Sequence, residues 1–169
     1  MGRVLAFQRE RVISMCNIID VAKYFLNKLN SEPESSITPL KLQKLCYYAQ
    51  AWSMVWDGKE LFKEDFQAWA HGPANPKLYD LYKGYRWRPI EIPEEIDLSK
   101  FSEEQIETMN IIWNEYGIYD GKYLERLTHQ EQPWIEARGN CKDGEKCDTI
   151  ISKESIRDYF TKLYESEEL

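Results

Sequence analysis

Apolar residues recur at three- and four-residue steps in six stretches of the chain, and each stretch predicts a helix with one buried face. The first, Ser14 to Leu29, lines up Ile18, Val21, Ala22, Phe25 and Leu29 against Asp20, Lys23, Asn27 and Lys28. The second runs from Pro39 to about Trp56. It carries Leu42, Leu45, Cys46, Ala49, Trp52 and Trp56 on one face, which puts Lys41 and Lys44 on the solvent side. The third, Pro76 to Gly84, carries Leu78, Tyr79, Leu81 and Tyr82, and the fourth, Ser102 to Gly117, carries Ile106, Met109, Ile112, Trp113 and Tyr116. Tyr123, Leu124 and Leu127 mark a shorter helix from Asp120 to His129. Ile156, Tyr159, Phe160 and Leu163 mark a last one from Ser152, with ESEEL as an acidic tail.

The polar residues between these runs fix where helices start. Thr38-Pro39 and Asn75-Pro76 each place a capping side chain before a proline that gives up no backbone bond. Ser102 with Gln105 three residues on is a capping-box pattern, and Asp120 caps the next start. The segments at 58–73 and 85–99 are less regular. Phe66-Gln67-Ala68-Trp69 fits a short strand or a helical turn, His71-Gly72-Pro73 reads as a rigid turn, and Pro89 and Pro93 confine 85–99 to a connector or edge strand. Pro133-Trp134 opens one further turn to about Arg138, and GNCKDGEKCD is a loop. The expected fold is mainly α: a compact single-domain bundle of about six helices. At most a short β element lies near residues 60–70 and 88–93. Residues 1–13 form an N-terminal arm to a single domain spanning 14–169.

Composition narrows the function classes. At 169 residues with 43% hydrophobic and 14% aromatic content, the chain can bury a core unaided. No apolar run approaches a membrane span, and MGRVLAFQRERVISM lacks a signal-peptide pattern, so the expected location is the cytoplasm. The net charge of −7 is unevenly divided: residues 1–90 hold 13 basic and 9 acidic side chains (+4), and residues 91–169 hold 9 and 20 (−11). An acidic half suits a basic partner and argues against general nucleic-acid binding. Cys16 and Cys46 sit in helical patterns as small hydrophobes. Cys141 and Cys147 bracket a polar loop at a spacing wider than a zinc knuckle, so no metal and no cofactor is expected.

Catalytic signatures are thin. The two histidines, His71 in a turn and His129 at a helix end, are separate, and His129-Gln-Glu lacks the second histidine of a helical zinc motif. No nucleophile elbow, P-loop or dinucleotide fingerprint is present, so no enzyme is expected and no catalytic residue is assigned. The aromatics are the richer signal. Six Trp and eleven Tyr exceed the needs of one small core, and such residues also anchor protein interfaces.

Three blocks, LKLQKLCYYAQAW, ELFKEDFQAWAHGPANPKLY and LTHQEQPWIEAR, resemble in order the Panacea domain of SocA-like antitoxins and GepA-like phage-associated proteins, across roughly residues 17–138. The resemblance is carried by Leu42, Gln43, Lys44, Leu45, Tyr47, Ala49, Leu61, Phe62, Phe66, Ala68, Trp69, Gly72, Pro73, Tyr79, Leu127, His129, Glu131, Pro133 and Trp134. It departs at His71, where the family commonly has an aromatic, and at Ala74, where a valine often follows the proline. It implies a cytoplasmic bacterial or prophage antitoxin that holds a cognate toxin, encoded nearby, by direct protein binding. The implied alternative is an adaptor delivering the toxin to a Clp-type protease, and a homodimer or hetero-oligomer is compatible with either. A hydrolase using His71 and His129 is the weakest reading. Under the antitoxin reading the candidate partner-binding residues are Lys44, Tyr48, Trp52, Trp69, His71, Asn75, Tyr79, His129 and Trp134. Leu42, Gln43, Leu45, Gly72, Pro73 and Pro133 define the fold.

Overall fold

The computed structural model describes residues 16–93 and 95–167. In chain order the elements are α1 (Ile18–Asn27), α2 (Pro39–Trp56), β1 (Phe66–Trp69), β2 (Gly72–Ala74), α3 (Pro76–Tyr82), α4 (Glu103–Tyr116), α5 (Gly121–Thr128), α6 (Gln132–Arg138), β3 (Ile150–Ile151) and α7 (Lys153–Glu167), with single 3-10 turns at Lys28–Asn30, Lys83–Tyr85 and Leu98–Lys100. The fold is mainly α, with seven α-helices among the described residues where about six were expected. The addition is α6, whose start at Gln132-Pro133 makes the expected turn a helix. The expected arm, 1–13, and the first positions of the expected opening helix lie outside the described residues.

The caps form as the sequence indicates. Thr38, Asn75 and Asp120 accept the N–H of Lys41, Leu78 and Tyr123, and Ser102 with Gln105 closes a capping box. Asn17 closes another with Asp20 and starts α1, whose Ile18, Val21, Ala22 and Phe25 are buried.

Helix α2 differs most from the sequence reading. A one-faced helix would alternate exposed and buried arcs, yet residues 41–54 are buried throughout. The reason is position. α2 is the axis of the molecule, packed against α1, α3, α4, α5, α7 and β2 at once. A helix enclosed on all sides must satisfy every polar side chain inside the protein, and α2 does so by bonding the backbones of its neighbours. Lys41 Nζ donates to the Gly117 carbonyl just past the end of α4 at 2.6 Å and lies 5.5 Å from the centre of the Trp113 ring. Gln43 donates to the Asn75 carbonyl at 3.0 Å and accepts the Asn75 N–H at 2.8 Å. Two turns later Gln50 repeats the device, donating to the Phe62 carbonyl and accepting the Leu61 N–H, both at 2.7 Å. Lys44 donates to the Pro73 carbonyl at 3.1 Å. The expectation that Lys41 and Lys44 face solvent is therefore corrected: both are buried.

Phe66–Trp69 is the central strand of a three-stranded antiparallel sheet ordered β2-β1-β3. Gly72-Pro73-Ala74, expected as a turn, is itself a strand, with Gln67 opposite Ala74 and Trp69 opposite Gly72, and Ala70-His71 makes the turn. Pro73 lacks an N–H, and β2 is an edge strand, where that loss is tolerated. The other edge, β3, places Ile151 opposite Phe66; two residues carry too little pattern to read as a strand. The expected β element near 88–93 does not form. Pro89 and Pro93 lack donors, and the segment keeps the bond from the Ile90 N–H to the Ile37 carbonyl at 2.9 Å. The expected acidic tail is helical as far as Glu167, within α7.

The aromatic surplus is mostly interior. Phe160 of α7 meets Tyr47, Tyr48 and Trp52 edge-on, with centroids 6.2, 6.0 and 5.3 Å away, and Tyr47 meets Phe66 of β1 at 5.3 Å. Tyr48 stacks on Tyr116 at 4.1 Å. These contacts tie α7, the sheet and α4 to the axis.

Candidate functional site

The second and third sequence blocks converge on α2 at the β1–β2 hairpin, where polar side chains accumulate inside the protein. Lys44 is 1% exposed. Burial pushes its ammonium down to about 7, against the favourable charge of Glu125. Glu125 projects from α5 and meets two side chains: its Oε1 lies 2.6 Å from His71 Nδ1 and its Oε2 accepts from Lys122 Nζ at 3.0 Å. Burial works to raise the Glu125 carboxyl, but the His71 and Lys122 bonds together outweigh it and hold the group below its ordinary range. Thr128, on the same face of α5, donates to the Glu125 carbonyl at 2.8 Å. Between these groups sits Gly72, at φ 100°; a Cβ there would lie 2.6 Å from Thr128 Oγ1 and 2.8 Å from Lys44 Cε.

A second cluster lies between α2 and α6. Tyr48 OH stands 3.1 Å from both oxygens of Glu131, a buried carboxyl that burial pushes up to about 8 despite the Tyr48 bond. Tyr47 OH, equally enclosed, has no hydrogen-bond partner among the described residues. Trp134 Nε1 donates to the Trp69 carbonyl at 2.9 Å, and Arg138 donates to the Ala68 carbonyl at 3.1 Å, so α6 grips strand β1 from the side. His129 stacks flat on Trp134 at 4.1 Å; its Nε2 is buried without a partner, and burial lowers its pKa.

The candidate partner-binding residues divide sharply in this geometry. Lys44, Tyr48, Trp52, Asn75 and Trp134 are buried and serve the fold through the contacts above. Trp52 donates to Tyr116 OH at 2.9 Å, and Asn75 both caps α3 and donates to the Asp65 carbonyl at 2.8 Å. Trp69 and His129 are half-buried. His71, with 72% of its side chain exposed, and Tyr79 at 46% are on the surface. Tyr79 meets Trp69 edge-on at 5.1 Å, so Trp69 and Tyr79 form one aromatic step beside the hairpin. The fold-defining residues Leu42, Gln43, Leu45, Gly72, Pro73 and Pro133 are all buried.

Sequence pattern does not single out Glu125 or Gln50, because a carboxylate on a helix and a glutamine in an apolar run read as ordinary surface and filler. For Glu131 the available signal is its place in the third block of the family resemblance, before Pro133-Trp134. Among the described residues no group of three or more His, Cys, Asp or Glu side chains is arranged to hold a metal. All four cysteines are free thiols. Cys141 and Cys147 hydrogen-bond each other, which raises the first thiol and, with a bond to Thr149, lowers the second. No helix among the described residues is long and apolar enough to cross a membrane.

The burial of Lys44 has a measurable consequence. Its folded pKa of about 7 lies below the ordinary 10.5. Between those values the unfolded chain holds a proton that the fold does not, so this group makes stability rise with pH. Compared with Lys44→Met by urea denaturation, the wild type is expected to gain about 1 kcal/mol per pH unit from pH 7 to 9. A gap that stays constant over that range overturns the buried placement.

Comparison with known families gives one match: the family described as antitoxin SocA-like, Panacea domain, over residues 42–135. The matched region runs from the first turn of α2 into α6 and includes the first polar cluster whole and the second except Arg138. No curated protein and no solved structure matches the chain.

Proposed function

The chain belongs to the SocA-like antitoxin family through its Panacea domain, and from that premise we propose that it neutralises a cognate protein toxin by binding it directly. The observation that carries the reading is the extent of the match, which takes in the whole β1–β2 hairpin and α5, with α2 from Leu42 and the start of α6. The disposition of side chains supports binding over catalysis. Lys44, Gln43, Gln50 and Asn75 are engaged with neighbouring backbone, and Glu131 with Tyr48, while the hairpin shows solvent the aromatic step and His71. Engaged groups hold a shape, and a step of exposed Tyr79 and half-buried Trp69 beside the His71 turn is the kind of surface that anchors a protein contact.

The test is co-expression with the product of the neighbouring open reading frame. Growth arrest by the neighbour alone, rescue by this protein and co-purification of the two are the expected results. Rescue with loss of the neighbour's protein and without co-purification would replace sequestration by delivery to a protease. A harmless neighbour would overturn the pairing. The hydrolase alternative fails if a folded His71→Ala, His129→Ala double variant still rescues growth; loss of rescue with co-purification retained would favour it.

A further inference from the structure

Residues 85–88 close a type II′ turn. The Arg88 N–H donates to the Tyr85 carbonyl at 2.9 Å, and Arg86, the first central residue, has φ 56° and ψ −112°. A Cβ is crowded in that conformation, so the position favours glycine. The chain follows the rule elsewhere. Gly139 takes φ 50° and ψ −116° in a turn closed by the Cys141 N–H on the Arg138 carbonyl at 2.8 Å. At position 86 an arginine stands instead, and it has positive φ alone among the described non-glycine residues. Strained backbone of this kind persists where its surroundings hold it and clusters at functional sites.

What the turn presents is Trp87, 76% exposed and the most exposed large hydrophobic residue among those described. Its mount is rigid. Tyr82 and Tyr85 pack on the core before it, the Arg88 guanidinium donates to the Gly84 and Tyr85 carbonyls at 3.3 and 3.4 Å, and buried Ile90 is bonded to Ile37 after it. Residues 81–90 include Lys83, Arg86 and Arg88 and no acid. Lys83 pairs with Asp80 at 3.1 Å, while neither arginine has an ion pair among the described residues. Directly beyond the turn, Pro33, Ser35, Pro89, Ile90 and Ile92 line a cleft of about 240 Å³, room for one side chain.

We propose that this turn anchors the toxin interface: Trp87 docks on the partner, Arg86 and Arg88 pair with carboxylates of an acidic protein surface, and an apolar side chain of that surface fills the cleft. The proposal rests on the reading of the chain as a protein-binding antitoxin. A preset tryptophan gives large buried area at small entropy cost, and arginine pairs with carboxylates through a rigid fork. Protein is favoured over nucleic acid because the cations stop at one turn, Glu91 lines the same cleft, and the chain carries −7 overall. A nucleic-acid surface needs a longer basic track.

The test places a photo-crosslinking phenylalanine analogue at position 87 of the full chain in its native host, with Ile118 (74% exposed) as the control position. The expected result is one protein linked through 87 and not through 118, the linked peptide being acidic. Arg86→Glu is then expected to weaken binding to that purified protein at least tenfold, as is Trp87→Ala, without lowering the melting temperature. Links to nucleic acid, to a second copy of this chain or to a neutral or basic peptide overturn the proposal, as does equal labelling from 118. If the acidic protein linked is not the neighbouring product, the interface stands and the toxin pairing falls. If the neighbour is neutralised and binds these variants normally, the pairing stands and the interface falls.

Discussion

Gly72→Ala is expected to destabilise the protein by about 3–5 kcal/mol, a large share of the 5–15 kcal/mol typical of a domain. Two costs add. Gly72 has φ 100°, a conformation that an L side chain rarely adopts, and the new methyl would lie 2.6 Å from Thr128 Oγ1 and 2.8 Å from Lys44 Cε. Neither neighbour can step aside. Thr128 is fully buried and bonded to the Glu125 carbonyl, and Lys44 is enclosed with its ammonium on the Pro73 carbonyl. Thr128→Ala removes the nearer obstacle, so the double variant should lose less than the two single losses combined, by 1 kcal/mol or so. Urea denaturation of the four proteins measures both quantities. A loss under 1 kcal/mol for Gly72→Ala would show that the β1–β2 hairpin does not press on α2 and α5 as described.

The second large effect is a pH dependence centred on Glu131. Its carboxyl is raised from the ordinary 4.5 to about 8, mainly by burial, with the Tyr48 bond working against the rise. Between those two values the fold holds a proton that the unfolded chain has released, so this group makes stability fall as pH rises and level off above about 8. Glu131→Gln removes the titration and keeps an oxygen for Tyr48. Relative to wild type the variant is therefore expected to gain roughly 1 kcal/mol per pH unit between pH 5 and 7, or about 2–4 °C of melting temperature per unit. The window stops at 7 because closer to 8 the folded carboxyl begins to ionise as well and the slope falls off. A melting-temperature gap that does not move with pH would mean that Glu131 is solvated in the native protein.

Both effects originate where the chain's motifs meet. The polar residues of α2 close distances to other backbones that no side chain of different length would reach: Gln43 and Gln50 each bridge an N–H and a carbonyl in another segment. They hold α3 and the approach to β1 in register, and through them the hairpin. The frame also displays a surface. In this chain it carries His71, the Trp69–Tyr79 step and the Trp87 turn.

The sequence alone determined where the helices run and start. Periodic apolar residues and local capping side chains decide those features within a few residues, and Thr38, Asn75, Ser102 and Asp120 all cap as read. Gly72 and Pro73 were legible as structural, since one needs positive φ and the other lacks a donor. The three ordered blocks also carried the family. The tertiary structure decided which side of each helix counts as outside. α2 has polar residues on every turn, which reads as an exposed face until six neighbouring elements surround it and supply acceptors for Lys41, Gln43, Lys44 and Gln50. The same holds for the aromatics: Tyr48, Trp52 and Trp134 went inside and Trp87 stayed out. Strand β3 exists because β1 offers it an edge, across more than eighty residues of chain. Burial and long-range pairing are properties of the assembled neighbours, and a residue's local sequence does not contain them.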